Sequence, residues 1–342
     1  MIKVLIIGLG SAGQRHVRNL RRLLGSDVSF IAYRVKRLKR LFDDNLNIVE
    51  GQSVAEAYNI SEFDDLDRAL EEKPDIAFIA NPNSMHMACA LKVAKSGVDI
   101  FLEKPVSNSM EGVDELINIV REKKLILYVG FQMRMHPCIA RLKQSIENEV
   151  IGRIVSVDCH MGELLTGMHK YEDYRTMNES QAATGGGVVL CQIHEIDYLY
   201  WIFGMPTEVY CIGNKYSDLE IDVEDSASTI WKYNNGHGFS VMLHQDFLQK
   251  PPIRRCRVIG TEGQIEIDLL KNQFILFGME SIQEETFHEF SRNDMFLKEL
   301  EIFLGYIKTR KPQTLTLEDG VGSLKIALAM KKSMNEGIPV QL

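Results

Sequence analysis

The chain has 342 residues, which at about 150 residues per domain implies two domains. Its 45% apolar and 25% charged residues describe an ordinary globular protein with a sizeable core, and exclude a disordered, collagen-like or coiled-coil chain. A formal net charge of -8 leaves no basic field for nucleic acid or anionic lipid, so neither is an expected partner.

Cys89, Cys138, Cys159, Cys191, Cys211 and Cys256 form no C-x-x-C pair and sit in apolar periodic segments. That reads as reduced, buried thiols in a cytoplasmic protein. The apolar run at residues 4–7 stops at Gly8, too short for a signal peptide, and no stretch approaches the ~20 apolar residues that span a bilayer. The expected location is the cytoplasm, with no membrane partner.

In chain order, Ile2–Ile7 is a short apolar run, hence a strand buried on both faces. An amphipathic helix follows, with Gly13, Val17, Leu20 and Leu24 on one face and Gln14, Arg15, Arg18 and Arg21 on the other. Further apolar runs stand at residues 28–32, 75–80, 99–102 and 125–129. Between the last two lies a helix carrying Val113, Leu116, Ile117 and Val120. Strand and helix in alternation imply right-handed crossovers and a parallel sheet covered by helices.

After about residue 130 the period changes, and strands dominate residues 153–277. Ile265, Ile267 and Leu269 alternate with Glu266 and Asp268; Phe239, Val241 and Leu243 alternate with Ser240, Met242 and His244. Asn234-Asn235-Gly236 suggests a hairpin turn. One helix, residues 187–203, interrupts this pattern. Two more close the chain, the first with Phe296, Leu300, Phe303, Leu304 and Ile307, the second from about Glu318 with Leu324, Leu328 and Lys331. Such strands make an antiparallel sheet with one face available for helices or a second subunit.

Gly8-Leu9-Gly10-Ser11-Ala12-Gly13 is G-x-G-x-x-G between a strand and a helix, the setting a dinucleotide site requires. Gly8 allows the tight turn, Gly10 lets the backbone approach a pyrophosphate, and Gly13 lets helix and strand pack closely. The helix N-terminus adds N–H donors and partial positive charge. The competing reading is a tight turn with no ligand. At the end of the second strand, NAD enzymes usually carry an acid for the ribose 2′-hydroxyl. Here Ala32-Tyr33-Arg34-Val35-Lys36-Arg37 has none. Arg34 could bond a 2′-phosphate and stack on adenine, so NADP is expected over NAD. A solvated basic helix start is the alternative.

Two more motifs sharpen this. Asn81-Pro82-Asn83-Ser84-Met85-His86 follows one apolar run, and Glu103-Lys104-Pro105 follows the next. With the glycine turn, Gly130-Phe131-Gln132-Met133-Arg134, and Gly185-Gly186-Gly187 ahead of His194 and Asp197, this order resembles the Gfo/Idh/MocA family of NAD(P)-dependent oxidoreductases. The resemblance implies an α/β fold. A Rossmann domain over residues 1–125 precedes an α/β domain over residues 126–342 with an open, mostly antiparallel sheet. In relatives that sheet often packs on a second subunit, so a homodimer or homotetramer is expected. The resemblance also puts Asn81, Pro82 and His86 on the nicotinamide side, Glu103 on the cofactor and Lys104 on the reacting hydroxyl. In several relatives the Lys–Pro bond is cis. Asn81 and Lys104 directly follow predicted strands, where open parallel sheets bind ligands, and a lysine there can stabilise developing alkoxide charge. The plain alternatives are a loop-capping surface lysine for Lys104 and an exposed polar residue for His86.

Hydride transfer from an alcohol carbon also needs a base for the hydroxyl proton. Histidine titrates near neutrality, and the resemblance places His194 opposite Lys104, facing the nicotinamide. A core histidine bonded to backbone is the alternative. Many relatives carry an aspartate three or four residues upstream, but Cys191 stands there, so the expected carboxylate orienter is missing. Glu195 points to another helical face, and Asp173 is a candidate substitute. Cys191 and His194 are only two ligands, so no metal site is expected.

The loop at residues 169–175 holds His169, Asp173, Tyr174 and Arg175. It is similar to an H-P-x-x-D-Y-R stretch of relatives in bacterial amino-sugar and polysaccharide pathways, with Lys170 in place of the proline. A long loop before the site helix is a natural pocket wall. Arg134 and Arg175 could pair with a substrate carboxylate or phosphate, or make structural salt bridges. With Lys104, Gln132, Cys191 and His194 these residues form the expected substrate set. The expected activity is hydride transfer between the nicotinamide and a secondary alcohol or ketone of a sugar or sugar nucleotide. An inositol or polyol dehydrogenase differs only in substrate. A non-catalytic NAD(P)-binding sensor, as Cys191 hints, is the alternative from another class.

Overall fold

The computed structural model describes residues 1–35, 40–43, 46–234, 236–312 and 314–342; Lys36, Arg37 and Asn235 of the sequence reading lie outside them. The chain divides into two units, Met1–Phe131 with Phe296–Val321, and Gln132–Met295 with Gly322–Leu342.

The first unit is built on parallel strands β1 (Ile2–Ile7), β2 (Val28–Tyr33), β3 (Ser61–Phe63), β4 (Ile76–Ile79), β5 (Asp99–Glu103) and β6 (Leu127–Gly130). Their order across the sheet is β3-β2-β1-β4-β5-β6, and every neighbouring pair is parallel. Val4 to Ile7 are wholly buried, as a strand covered on both faces requires. Helices α1 (Ser11–Leu24), α2 (Asn83–Lys95) and α3 (Val113–Lys123) supply three of the five crossovers, and the short helices Val54–Tyr58 and Leu66–Glu71 lie in the other two. Val17 and Leu20 of α1 are buried as their spacing predicts. Gln14 departs from its predicted polar face. It is buried, donating to the carbonyls of Leu9 (3.1 Å) and Arg40 (2.9 Å) and accepting from Phe42 N–H (2.9 Å). One amide so satisfies three backbone groups, one in the glycine turn and two at residues 40 and 42. The returning residues of helix Arg292–Thr309 complete this core, with the Phe303 ring 5.6, 5.5 and 5.8 Å from those of Phe78, Phe101 and Tyr128.

The second unit opens with α4 (Pro137–Glu147) and β7 (Ile154–Gly162), followed by α5 (Val188–Cys191) and α6 (Ile193–Phe203). Strands β8 (Glu208–Asn214), β9 (Ser226–Tyr233), β10 (Phe239–Asp246), β11 (Ile253–Gly260), β12 (Gly263–Asp268), β13 (Gln273–Gly278), β14 (Ile282–Thr286) and β15 (Val340–Gln341) complete it. The nine-stranded order is β14-β13-β12-β11-β7-β10-β9-β8-β15, antiparallel except for the parallel pair β7–β10. β9 and β10 form the expected hairpin, with Tyr233 opposite Phe239. Alternation sets the faces: Ala227, Thr229, Trp231, Val241, Leu243, Ile265 and Ile267 are buried, whereas Tyr210, Ile212, Ile230 and Met242 are exposed on the other side.

The single helix expected over residues 187–203 is two. Gln192, at φ -94° and ψ 32°, breaks it. Its carbonyl accepts from Gln245 Nε2 (2.8 Å), and its own Nε2 donates to the Asp246 carbonyl (3.0 Å). These side-chain bonds replace regular helical ones, which is how the kink persists in a buried segment.

His136 caps α4 by accepting from Cys138 N–H (3.2 Å). Burial first, and the Arg254 charge second, push its pKa down to about 4. The unfolded chain therefore binds a proton that the folded chain refuses. The group's contribution is complete above about pH 6.5 and is lost as pH falls toward about 4, amounting to about 3 kcal/mol. Urea titrations at pH 7 and pH 4.5 should show this loss in the wild type and a shallower one in His136→Gln; equal slopes would refute the assignment.

Candidate active site

Parallel strands put all their carboxyl ends on one edge of the first unit. Gly8 follows β1, Asn81 follows β4 and Lys104 follows β5, and these three strands are adjacent in the sheet. The order reverses between β1 and β4, the switch point where open sheets hold ligands. Gly8 has φ +94°, and a Cβ there would lie 2.8 Å from the Ala80 carbonyl. A Cβ on Gly13 would lie 2.0 Å from the Gly8 carbonyl, so helix and turn meet only with glycine. Gly10 differs: among the described residues, a Cβ there would meet nothing within 4 Å.

That open side suits a dinucleotide. Gly10 is the N-cap of α1, with no side-chain cap and no acidic residue in the first turn, which Ser11, Ala12 and Gly13 begin. Leu9 is buried beneath the turn. Among the described residues, buried Asn81 Oδ1 has no hydrogen-bond partner, while its amide Nδ2 donates to Cys89 Sγ (3.3 Å). Open space, an uncapped helix start and an orphaned acceptor fit NAD(P).

Arg34 is not a solvated helix start. It is buried, and Nη1 donates to Glu62 Oε1 at 2.5 Å. Its partner is a carboxylate on neighbouring β3, a placement that no linear motif shows. Glu103 accepts a hydrogen bond from buried His16 on α1 (2.7 Å between Oε1 and Nε2). Burial raises the Glu103 carboxyl, but the His16 hydrogen bond and charge, with Lys104 and Arg15, prevail and hold it below the usual range.

Pro82 is the N-cap of α2, and the Lys104–Pro105 bond is cis. His86 is buried rather than exposed. Its Nδ1 lies 2.7 Å from the Pro105 carbonyl and its Nε2 2.8 Å from the Asn81 carbonyl. Burial lowers its pKa, against the pull of both carbonyls and Glu103. The ring thereby joins the loop after β4 to the loop carrying Lys104.

In the second unit, His194 stands in the first turn of α6 and is buried. Gln132 Nε2 lies 3.0 Å from His194 Nε2. An amide N–H only donates, so Nε2 accepts and the ring proton sits on Nδ1. The orienting role thus has a carboxamide candidate from the segment before α4. Asp173, the sequence candidate, spends its carboxylate on Arg175, with Nη2 at 2.6 Å and Nε at 2.9 Å. Arg175 also bonds Glu220 (3.0 Å), and the Tyr174 hydroxyl accepts from Glu220 N–H (3.3 Å). His169 stacks on Tyr171 and faces Glu172 (3.5 Å). Cys191, half-buried, ends α5.

Arg134 takes the structural alternative. It is buried, with Nε 2.8 Å from Asp197 Oδ2 and Nη2 2.7 Å from Oδ1, and its guanidinium lies 5.3 Å from the Trp201 ring. Asp197 also accepts from Ser323 (2.9 Å). On another face of α6, wholly buried Glu195 accepts from Arg254 Nε at 2.6 Å and Nη2 at 3.1 Å. Two ion pairs thus clamp the helix that carries His194. Acids in an apolar helix are the only sequence signal for them, and their partners lie elsewhere in the chain. Among the described residues, no helix is long and apolar enough to cross a membrane.

Comparison with known proteins agrees with this architecture. Residues 2–131 match the Gfo/Idh/MocA oxidoreductase family with an NAD-binding Rossmann fold, and residues 143–342 match that family's C-terminal alpha/beta domain. The myo-inositol 2-dehydrogenase of Thermotoga maritima is 26% identical, over 100% of this chain and 98% of its own. The UDP-N-acetylglucosamine 3-dehydrogenase of Acidithiobacillus ferrooxidans is 24% identical, over 95% and 93%. The fold is similar to that of the WlbA dehydrogenase of Bordetella pertussis, solved with NADH and UDP-GlcNAcA, at a TM-score of 0.80 and 19% identity over 100% of this chain and 98% of that one. With both of its units matched, the chain belongs to the Gfo/Idh/MocA family of oxidoreductases.

Proposed function

We propose that this protein is an NAD(P)-dependent dehydrogenase that interconverts a secondary alcohol and a ketone on a sugar, sugar nucleotide or cyclic polyol. The observation that carries the reading is the rim of the first unit, where the glycine turn, Asn81 and Lys104 end three adjacent parallel strands. The names of the inositol and sugar-nucleotide dehydrogenase relatives support the substrate class.

Gly8 to Gly13 and Asn81 would hold the cofactor, with Pro82 bounding its site, and Glu103 acts by fixing His16 and α1. His86 is a positioning residue for the Lys104 loop. Bound NAD(P) supplies the hydride acceptor. Lys104 donates a hydrogen bond to the substrate oxygen and stabilises negative charge that develops there. His194 receives the hydroxyl proton at Nε2, the atom that faces Gln132. Gln132 and Cys191 adjoin that histidine, and the loop with His169, Asp173, Tyr174 and Arg175 bounds the substrate. Arg134 positions α6 rather than touching substrate. Homodimers or homotetramers would form through the uncovered sheet face with Tyr210, Ile212, Ile230 and Met242.

The test mixes the protein with NADP or NAD and a panel of sugar nucleotides, inositols and aldoses, and follows nicotinamide absorbance. Turnover establishes the enzyme and its substrate. Tight cofactor binding without turnover on any candidate favours the sensor that Cys191 suggests.

Cofactor choice rests on Arg34. NADP is expected to bind more tightly than NAD, and Arg34→Ala to weaken NADP by about 10- to 100-fold while moving NAD little. Glu62→Gln, which removes the carboxylate charge beside Arg34, should widen the preference. Tighter NAD binding by the wild type, unchanged in Arg34→Ala, would overturn this assignment.

A further inference from the structure

We propose that His160, His244 and Asp246 form a binding site for a divalent transition-metal ion of the zinc class, on the outward face of the second unit's sheet. His160 of β7 and His244 of β10 are register partners in the parallel pair. Their rings lie 4.8 Å apart at 86°. Both Nε2 atoms face one oxygen, Asp246 Oδ2, at 3.6 and 3.4 Å, and the candidate ligand atoms all lie within 4.8 Å of one another. A tetrahedral ion with bonds of 2.0–2.1 Å to nitrogen and oxygen has ligand-to-ligand edges of about 3.3 Å. Two of the three edges therefore match an ion's requirement to within a few tenths of an ångström.

The surroundings hold each ligand in place. Asp246 Oδ1 accepts from the N–H groups of Leu248 (2.7 Å) and Gln249 (2.6 Å), which turns Oδ2 toward the imidazoles. The Ser228 hydroxyl bonds His244 Nδ1 (2.8 Å), which fixes that ring and leaves Nε2 for the ion. Among the described residues, buried His160 Nε2 has no hydrogen-bond partner. Arg255, opposite His160 in register, has its guanidinium on Asp268 (2.9 Å). In the single chain the His160 and His244 side chains keep 33% and 39% exposure, so an ion can reach them, and a second subunit seated on this face would close over it. Two imidazoles and one carboxylate favour zinc and its neighbours over calcium or magnesium, which prefer all-oxygen sets.

The chain, stripped with a chelator and dialysed against zinc, should hold about one zinc per chain by elemental mass spectrometry. Cobalt in its place should give the visible spectrum of a four-coordinate ion. His160→Ala and His244→Ala should each abolish the stoichiometric ion, and Ser228→Ala should weaken it about 10-fold. Gly162→Ala removes no ligand, but its Cβ would lie 2.4 Å from Asp246 Oδ2 and should weaken binding too. Circular dichroism confirms that each variant folds; His160→Gln, at a half-exposed position, replaces any that does not. Less than about a tenth of an equivalent in the wild type, or an unchanged count in the folded histidine variants, would overturn the site. Metal count is read independently of turnover, so the dehydrogenase proposal and this one fail separately.

Discussion

Lys104→Ala is expected to lower kcat by about 100- to 1,000-fold, the usual loss when a donor to a developing oxyanion is removed. Cofactor affinity should change far less, because the glycine turn and Asn81 remain. His194→Asn should cost about 100- to 10,000-fold and remove the limb of the pH–rate profile that reports the base. Gln132→Met keeps the base but removes its amide partner, so its expected signature is a shifted limb with a smaller loss. Steady-state rates with the substrate found in the panel, beside cofactor binding by nicotinamide fluorescence, separate these cases. If Lys104→Ala and His194→Asn both keep turnover within about threefold of wild type, neither residue acts on the substrate and the proposed chemistry fails.

The second large effect is on stability. Arg134→Ala should destabilise the fold by about 3–5 kcal/mol, because it removes the counter-charge of the buried Asp197 carboxylate. Asp197→Ala should cost a similar amount by stranding the guanidinium. The double change Arg134→Met with Asp197→Leu should cost clearly less than either single change, since no unpaired charge remains and the volume is largely kept. Urea unfolding at pH 7 measures all three. A loss under about 1 kcal/mol for Arg134→Ala would mean that water reaches the pair and that α6 is not clamped as described.

Much of the first unit was legible because its signals are local. An apolar run of six residues, a G-x-G-x-x-G turn and a 3.6-residue period each specify one element without reference to any other. The β-rich unit was legible from period-two alternation, which assigns faces but not neighbours. That is why the parallel pairing of β7 with β10, inside a sheet otherwise antiparallel, had no signature in the chain. The break at Gln192 was hidden for a related reason: the apolar period runs through it, and the side chain that displaces its helical bonding, Gln245, comes from another strand.

Charged side chains show the same division. Residue types and spacing by themselves determined two α/β units, a dinucleotide turn, and the placing of Asn81 and Lys104 just after buried strands, since backbone geometry and burial follow from near neighbours. Only tertiary structure decided that Arg34 meets Glu62, that Arg134 closes on Asp197, and that His16 holds Glu103. A buried charge must find a partner, but Coulomb attraction and hydrogen bonding act through space, and nothing in chain order says which partner the fold will bring within reach.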